Sequence, residues 1–272
     1  MRRPEPDAAR GNLGLSAVAV IPARIGSTRL PRKMLLAETG TPLFVHTARA
    51  VANCDRIARV VVATDSDEVL RAAEEHGVEV RMTRADHQSG TDRVHEATEL
   101  LRAEDGRSFD VVLNVQGDEP DVAPEDLAAL VDCFADDSVE LASLWAPIET
   151  ETELAARSVV KLVLDANSDA LYFSRAPIPD TSHARSDSGE PLARRHIGVY
   201  AFRPAALARF CALTHGVLER AENLEQLRWL EAGGRLRVLP ASRRPRGIDT
   251  AEEYADFVRR TATSSDPHSS RT

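Results

Sequence analysis

The sequence predicts an α/β fold built on an open, mostly parallel sheet, and three features of its first half carry that prediction. Apolar, β-branched runs of strand length recur at Ala17 to Ile21 (AVAVI), Arg59 to Ala63 (RVVVA) and Asp110 to Val115 (DVVLNV). Such runs suit strands buried on both faces, whereas half-exposed strands alternate apolar and polar residues. Helical stretches separate the runs, and polar loops follow them. Parallel strands need right-handed crossovers, so this alternation wraps helices over both sheet faces and opens a ligand site at the strand C-terminal ends.

Taken in order, the first strand is halted by Pro22 and followed by a basic loop. Pro42 to Ala52 (PLFVHTARAVA) fits a helix, and the second strand ends in Thr64 and Asp65. Ser66 is placed to cap the next helix, which runs to about His76. Val78 to Met82 reads as the third strand, Thr91 to Ala103 as a helix, and DVVLNV as the fourth strand before the turn-like QGDEP. Pro124 to Phe134 suggests another helix and Glu140 to Trp145 another strand. The pattern then changes: Val159 to Leu164 and Ala170 to Phe173 flank DANSD, which has hairpin turn chemistry and suggests a smaller lobe. Residues 180 to 190 (DTSHARSDSGE) read as a mobile loop, and the closing TATSSDPHSSRT as disordered.

At 272 residues the chain suits one large α/β domain, and 43% hydrophobic with 28% charged residues is ordinary for a globular protein. A net charge of -9 argues against a broad basic surface for nucleic acid or an anionic membrane, so any phosphate must be met locally. Cys54, Cys133 and Cys211 lack metal-ligand spacing and are odd in number, which favours a reducing, cytoplasmic setting. The first 16 residues lack the apolar stretch of a signal peptide, and no run approaches the roughly 18 apolar residues of a membrane span.

Four cations, Arg24, Arg29, Arg32 and Lys33, cluster in PARIGSTRLPRK directly after the first strand. With Gly26 allowing close backbone approach and Ser27 and Thr28 offering hydroxyls, the segment can clamp a triphosphate, or it is a solvated basic loop. It is neither a Walker motif nor GxGxxG. In NVQGDEP, at the end of the fourth strand, Asp118 is placed to hold Mg²⁺ against phosphates, since that hard ion takes a few carboxylates plus phosphate oxygens. A strand-terminating polar turn is the alternative. Asp249 in RGIDT either returns to the same metal or has only a structural part, with Asp249 or Thr250 capping the final helix. TRADHQSGTDR supplies Arg84 and Gln88 for a base or ribose, while Ser89 and Thr91 can bond a ligand or cap a helix. His87 and His95 show no metal spacing and read as structural or surface residues.

The ordered set PARIGSTRLPRK, TRADHQSGTDR, NVQGDEP, ALYFSRAPIP, RRHIGVY, NLEQLR and GIDT, spread over roughly residues 17 to 260, resembles the 3-deoxy-manno-octulosonate (Kdo) cytidylyltransferases, or CMP-Kdo synthetases. The resemblance implies a Rossmann-like nucleotide-diphospho-sugar transferase fold that joins CTP to Kdo, an acidic eight-carbon sugar, releasing pyrophosphate for lipopolysaccharide synthesis. It implies a single domain over 17–262, with a nucleotide half of about 17–150, a sugar and dimer portion of about 151–245, flexible tails at 1–16 and 263–272, and a homodimer. Arg24, Ser27 and Lys33 would hold the triphosphate, Arg84, Gln88 and Ser89 the cytidine, and Asp118 and Asp249 the magnesium. Arg24, Lys33, Asp118 and Asp249 would be catalytic. For the sugar it implies Arg175 beside the carboxylate, with Gln116, His196, Tyr200, Glu225 and Gln226 as hydrogen-bonding groups; Tyr200 also reads as core and Glu225 as a solvated helix residue. Rival readings are transfer to 8-amino-Kdo or sialic acid, and a nucleotide-binding regulator without turnover. Arg32 and Met34 stand where the family commonly has Gly and Pro, so the phosphate loop's turn is expected to be altered.

Overall fold

The computed structural model describes residues 14–26, 30–106, 108–180 and 193–264. Among the described residues nine strands form one sheet: β1 (Ala17–Pro22), β2 (Ile57–Thr64), β3 (Val80–Met82), β4 (Val111–Asn114), β5 (Leu141–Pro147), β6 (Lys161–Leu164), β7 (Ala170–Ser174), β8 (Arg194–Phe202) and β9 (Arg237–Pro240). The main order is β3-β2-β1-β4-β8-β5-β9. β3, β2, β1 and β4 pair in parallel, as the β-branched runs predict. β8 then enters antiparallel between β4 and β5, with Asn114 opposite Tyr200 and Leu141 opposite Phe202, before β9 pairs parallel with β5.

The helices are α1 (Leu43–Ala52), α2 (Asp67–Glu75), α3 (Gly90–Asp105), α4 (Pro124–Asp132), α5 (Glu151–Ala155), α6 (Pro204–Ala212), α7 (Val217–Glu222), α8 (Gln226–Glu231) and α9 (Ala251–Ser264). They cover both sheet faces because alternate strand residues point to opposite sides. Ala17, Ala19 and Ile21 of β1 pack in one core with Phe44 and Val45 of α1 and Leu127 of α4. Val18 and Val20 pack in the other with Val94 and Leu101 of α3, Phe210 of α6 and Trp229 of α8.

Local chemistry explains most boundaries. The Ser66 side chain accepts from the amides of Glu68 and Val69, giving α2 the predicted start. Gly77, at φ +67, turns the chain out of α2, and the Val78 amide returns to the Ala73 carbonyl at 2.8 Å. That turn spends Val78 on closing a helix, so β3 begins at Val80 and not at Val78. β6 and β7 form the predicted antiparallel hairpin, which joins the sheet through Lys161 and Leu162 opposite Arg195 and Arg194 of β8.

Three expectations are corrected or bounded. The closing segment is helical through Ser264, because the buried Tyr254 and Phe257 of α9 pack with Leu43 and Ile248. The division near residue 150 does not separate sheets, since β8 and β9 return to the main one. The loop expected over 180 to 190 falls, after Asp180, outside the described residues, as do the tails 1–13 and 265–272.

Candidate active site

The loops after β1 and β4, the start of α3 and the approach to α9 converge on a cavity of about 350 Å³. Arg24, Lys33, Gln88, Ser89, Gln116, Asp118 and Asp249 line it together with His87, Arg93 and the small surfaces of Gly26 and Gly90. Seven predicted site residues from four distant segments therefore share one wall system. Ser27, with Thr28 and Arg29, lies outside the described residues.

Lys33 is buried, yet its ammonium bonds Asp118 and stands 2.9 Å from Asp249 Oδ1. Burial opposes its charge, but the two carboxylates, Asp118 first, outweigh that cost and hold it above the ordinary lysine value. Asp249 reaches this point because Thr250 does the capping. The Glu253 amide donates to Thr250 Oγ1 at 3.2 Å, and the Glu253 carboxylate accepts from the amides of Asp249 and Thr250. On the other side, the Asp118 carbonyl accepts from the Ile248 amide at 3.0 Å, tying the two carboxylate-bearing turns together. Two carboxylates already converging on one cation are a suitable donor set for Mg²⁺, which completes its shell with phosphate and water oxygens.

The loop after β1 makes its turn with arginine and methionine in place of the glycine and proline expected from the resemblance. Arg32 takes the left-handed conformation at φ 57, ψ 26, the geometry for which glycine is the usual choice, and its guanidinium pairs with Glu68. Met34 packs against Gly117: a Cβ there would come within 2.8 Å of Met34 Sδ. Gly117 is not at positive φ, so what glycine provides here is room for the Met34 side chain.

Ser89 caps α3 in a reciprocal box with Asp92, so its hydroxyl is already committed to the helix start. Arg84, with its side chain 69% exposed, lies outside the main cavity and lines a neighbouring one of about 570 Å³ that shares His87 and Gln88. Glu225 lines a third cavity of about 440 Å³, which shares Gln88 and Ser89 with the first. A buried hydrogen-bond chain connects these walls. Gln116 Nε2 donates to Asn114 Oδ1 at 3.1 Å, Asn114 Nδ2 donates to Thr91 Oγ1 at 3.1 Å, and Thr91 donates to Glu225. Burial raises the Glu225 carboxyl above its ordinary value, with the Thr91 bond working the other way.

Besides Glu225, four more sugar-site expectations fall away from the main cavity. Arg175 spends its guanidinium on the carbonyls of Glu222, Arg157 and Asn223 at 2.9–3.2 Å. His196 and Tyr200 belong to a ring stack, His196 lying 5.0 Å from Phe173 and 5.3 Å from Tyr200. His196 Nε2 bonds Ser143 Oγ at 2.8 Å, and burial pulls its imidazole down to about 3. Gln226 is buried, with its Nε2 lacking a partner among the described residues.

Two residues given no role above also shape the site. Arg93, one helical turn beyond Ser89, is buried and bonds Thr83 Oγ1 at 2.5 Å and Asp65 at 3.0 Å; the i, i+4 spacing within TRADHQSGTDR was its only signal. Glu119 lies beneath the turn before Asp249, where a Cβ on Gly247 would come within 2.8 Å of its Oε1. Burial, and then Asp118, push its carboxyl up to about 8.

The chain is similar over most of its length to known proteins. A family model described as cytidylyltransferase matches residues 18–238. A 3-deoxy-manno-octulosonate cytidylyltransferase of Rhodopseudomonas palustris (strain BisA53) is 46% identical over 242 residues, covering 88% of this chain and 94% of that protein. The enzyme of that name from Mesorhizobium japonicum is 44% identical over 243 residues, covering 88% and 96%. A solved CMP:2-keto-3-deoxy-manno-octonic acid synthetase complexed with CTP superposes with a TM-score of 0.83 at 36% identity, covering 92% of this chain and 99% of that one. A Leptospira borgpetersenii cytidylyltransferase, at 17% identity and a TM-score of 0.58, shares the fold. On the strength of these matches over most of its length, the chain belongs to the 3-deoxy-manno-octulosonate cytidylyltransferase family.

Proposed function

We propose that this protein transfers the cytidylyl group of CTP to Kdo, giving CMP-Kdo and pyrophosphate, in the cavity that unites Arg24, Lys33, Asp118 and Asp249. The carrying observation is that convergence: exposed and buried cations for phosphate stand beside two carboxylates that already share one cation. The anomeric hydroxyl of the sugar forms the new bond to the α-phosphorus as the bond to the pyrophosphate oxygen breaks, so no enzyme nucleophile is needed. Lys33 and Arg24 offset the charge of the triphosphate and its leaving group. Gln88 and Ser89 lie on the cytidine side, and Gln116 and Glu225 on the sugar side. Asp118 and Asp249 would hold Mg²⁺, which supplies Lewis-acid stabilisation of the phosphate oxygens when bound.

This reading carries the family's setting with it: a cytoplasmic homodimer that activates Kdo for lipopolysaccharide assembly. Among the described residues no helix is long and apolar enough to cross a membrane, which is consistent with soluble substrates on both sides of the reaction. The test is pyrophosphate release by purified protein with CTP and Mg²⁺, comparing Kdo, 8-amino-Kdo, sialic acid and no sugar. Release that requires Kdo supports the proposal. Release with another sugar instead moves the assignment to that sugar, and CTP binding without release under any condition moves it to a regulator.

A further inference from the structure

We propose that Thr91 and Asn114 are positioning residues that fix Gln116 with its amide oxygen facing the cavity, where it accepts a hydrogen bond from a hydroxyl of the sugar. This rests on the reading that the cavity takes an acidic sugar, and it adds two residues and a direction to that reading.

The direction follows from counting donors. An ionised carboxylate accepts only, and a threonine hydroxyl has one proton. Thr91 gives that proton to Glu225, so its remaining capacity is as an acceptor. Asn114 must then turn Nδ2 toward Thr91, as it does at 3.1 Å, leaving Oδ1 to accept from Gln116 Nε2 at 3.1 Å. Gln116 has thereby turned its amino group inward, with one of its two protons on Asn114, and its oxygen is left for the cavity. Reversing any one amide would set acceptor against acceptor, and Thr91 and Asn114 are fully buried, so water is not at hand to repair the mismatch. Burial raises the Glu225 carboxyl above its ordinary value and Asp92 adds to this, while the Thr91 bond and Arg228 work toward the ionised form in which it only accepts.

A Cβ on Gly90 would stand 3.9 Å from Gln116 Oε1 and 3.4 Å from the Pro22 ring, in ordinary contact with both, which places that oxygen beside the Gly90 surface. Gly90 and Gln116 both line the main cavity. Glu225 lies on the wall of the neighbouring one. The chain therefore connects two cavity walls through the sheet interior, and a group with an exchangeable proton is what its open end recognises.

The test is steady-state pyrophosphate release with Kdo and CTP varied separately. Thr91→Val keeps the shape and removes the hydroxyl; it should raise KM for the sugar about 10-fold, the typical effect of one lost hydrogen bond, with KM for CTP within about twofold. Thr91→Ser should restore the sugar KM. In a Gln116→Met background, Thr91→Val should cost clearly less than it does in the wild-type background, the remainder passing through Glu225. An equal rise in both KM values, or multiplicative effects of the two substitutions, would overturn the proposal.

Gln116→Met also carries the polarity test alone, should Thr91→Val fail to fold. Replacing each sugar hydroxyl in turn by fluorine, which cannot donate, should cost the wild-type protein affinity at one position and cost Gln116→Met nothing there. Absence of any such Gln116-dependent position refutes the assigned direction. If wild-type protein shows no Kdo-dependent release at all, the sugar assignment and this proposal fall together; wild-type release with an unaffected Thr91→Val variant removes this proposal only.

Discussion

Lys33 and Asp249, 216 positions apart in the chain, meet through a 2.9 Å bond from the ammonium to Oδ1, and the same ammonium also bonds Asp118. One lysine thus holds together two carboxylates that would otherwise repel each other on the wall of the main cavity.

Lys33→Met should destabilise the protein in the absence of divalent cations by about 1–3 kcal/mol, less than a fully buried pair would give because Asp118 and Asp249 are 21% and 46% exposed. Added Mg²⁺ should return part of this loss by binding the folded state alone. Thermal melts with and without Mg²⁺ check it, and a variant as stable as wild type in chelator would contradict the ion-pair account.

Asp118→Ala and Asp249→Asn should each lower turnover by at least about 100-fold, since even the partners that merely support a metal ligand cost 10–100-fold. Single-turnover pyrophosphate release on protein with native circular dichroism is the measurement. Near-normal turnover of either variant at ordinary Mg²⁺ would remove that residue from the metal role.

Arg32→Gly should raise the melting temperature by about 2 °C, by relieving a left-handed arginine. The lost pair with Glu68 offsets little, because both side chains are about half exposed. Calorimetry decides; a lower melting temperature would show that the surface pair outweighs the backbone.

His196 supplies a pH prediction with a definite sign. Its folded value lies near 3, below the ordinary 6.5, so between those values the unfolded chain binds the extra proton. Stability is full above pH 6.5 and falls as pH drops, by on the order of 1.4 kcal/mol per unit from this residue. Urea titrations at pH 7, 6 and 5 should therefore show a shallower decline for His196→Gln than for wild type.

How much of this was readable beforehand divides along local and non-local lines. AVAVI, RVVVA and DVVLNV announced β1, β2 and β4 because burial on both faces leaves a compositional mark that needs no partner to interpret. The loops after them were readable as a site because parallel strands must deliver their C-terminal loops to one edge. IGVYAF carried no comparable mark: nothing local says that it will lie antiparallel between β4 and β5, a fact decided by pairings such as Asn114 with Tyr200. Arg175 shows the same limit, since its guanidinium is claimed by carbonyls near residue 222 that no spacing rule would place beside it. The choice between Asp249 and Thr250 as helix cap was also open in GIDT, and the Thr250 hydroxyl settles it.

The antiparallel entry of β8 has a consequence for how the protein can be taken apart. β8 fills the gap between β4 and β5, hydrogen-bonding to both. A polypeptide severed between β7 and β8 would yield a leading fragment in which β4 and β6 each lose a neighbour and β5 loses both of its own, and a trailing fragment whose β8 and β9 have no sheet to join. Neither fragment has a complete core, so each should be insoluble by itself while the two, co-expressed, reconstitute activity. The substrate halves of the cavity are therefore not separable modules, and a split version of this enzyme would report the meeting of its fragments by turning over.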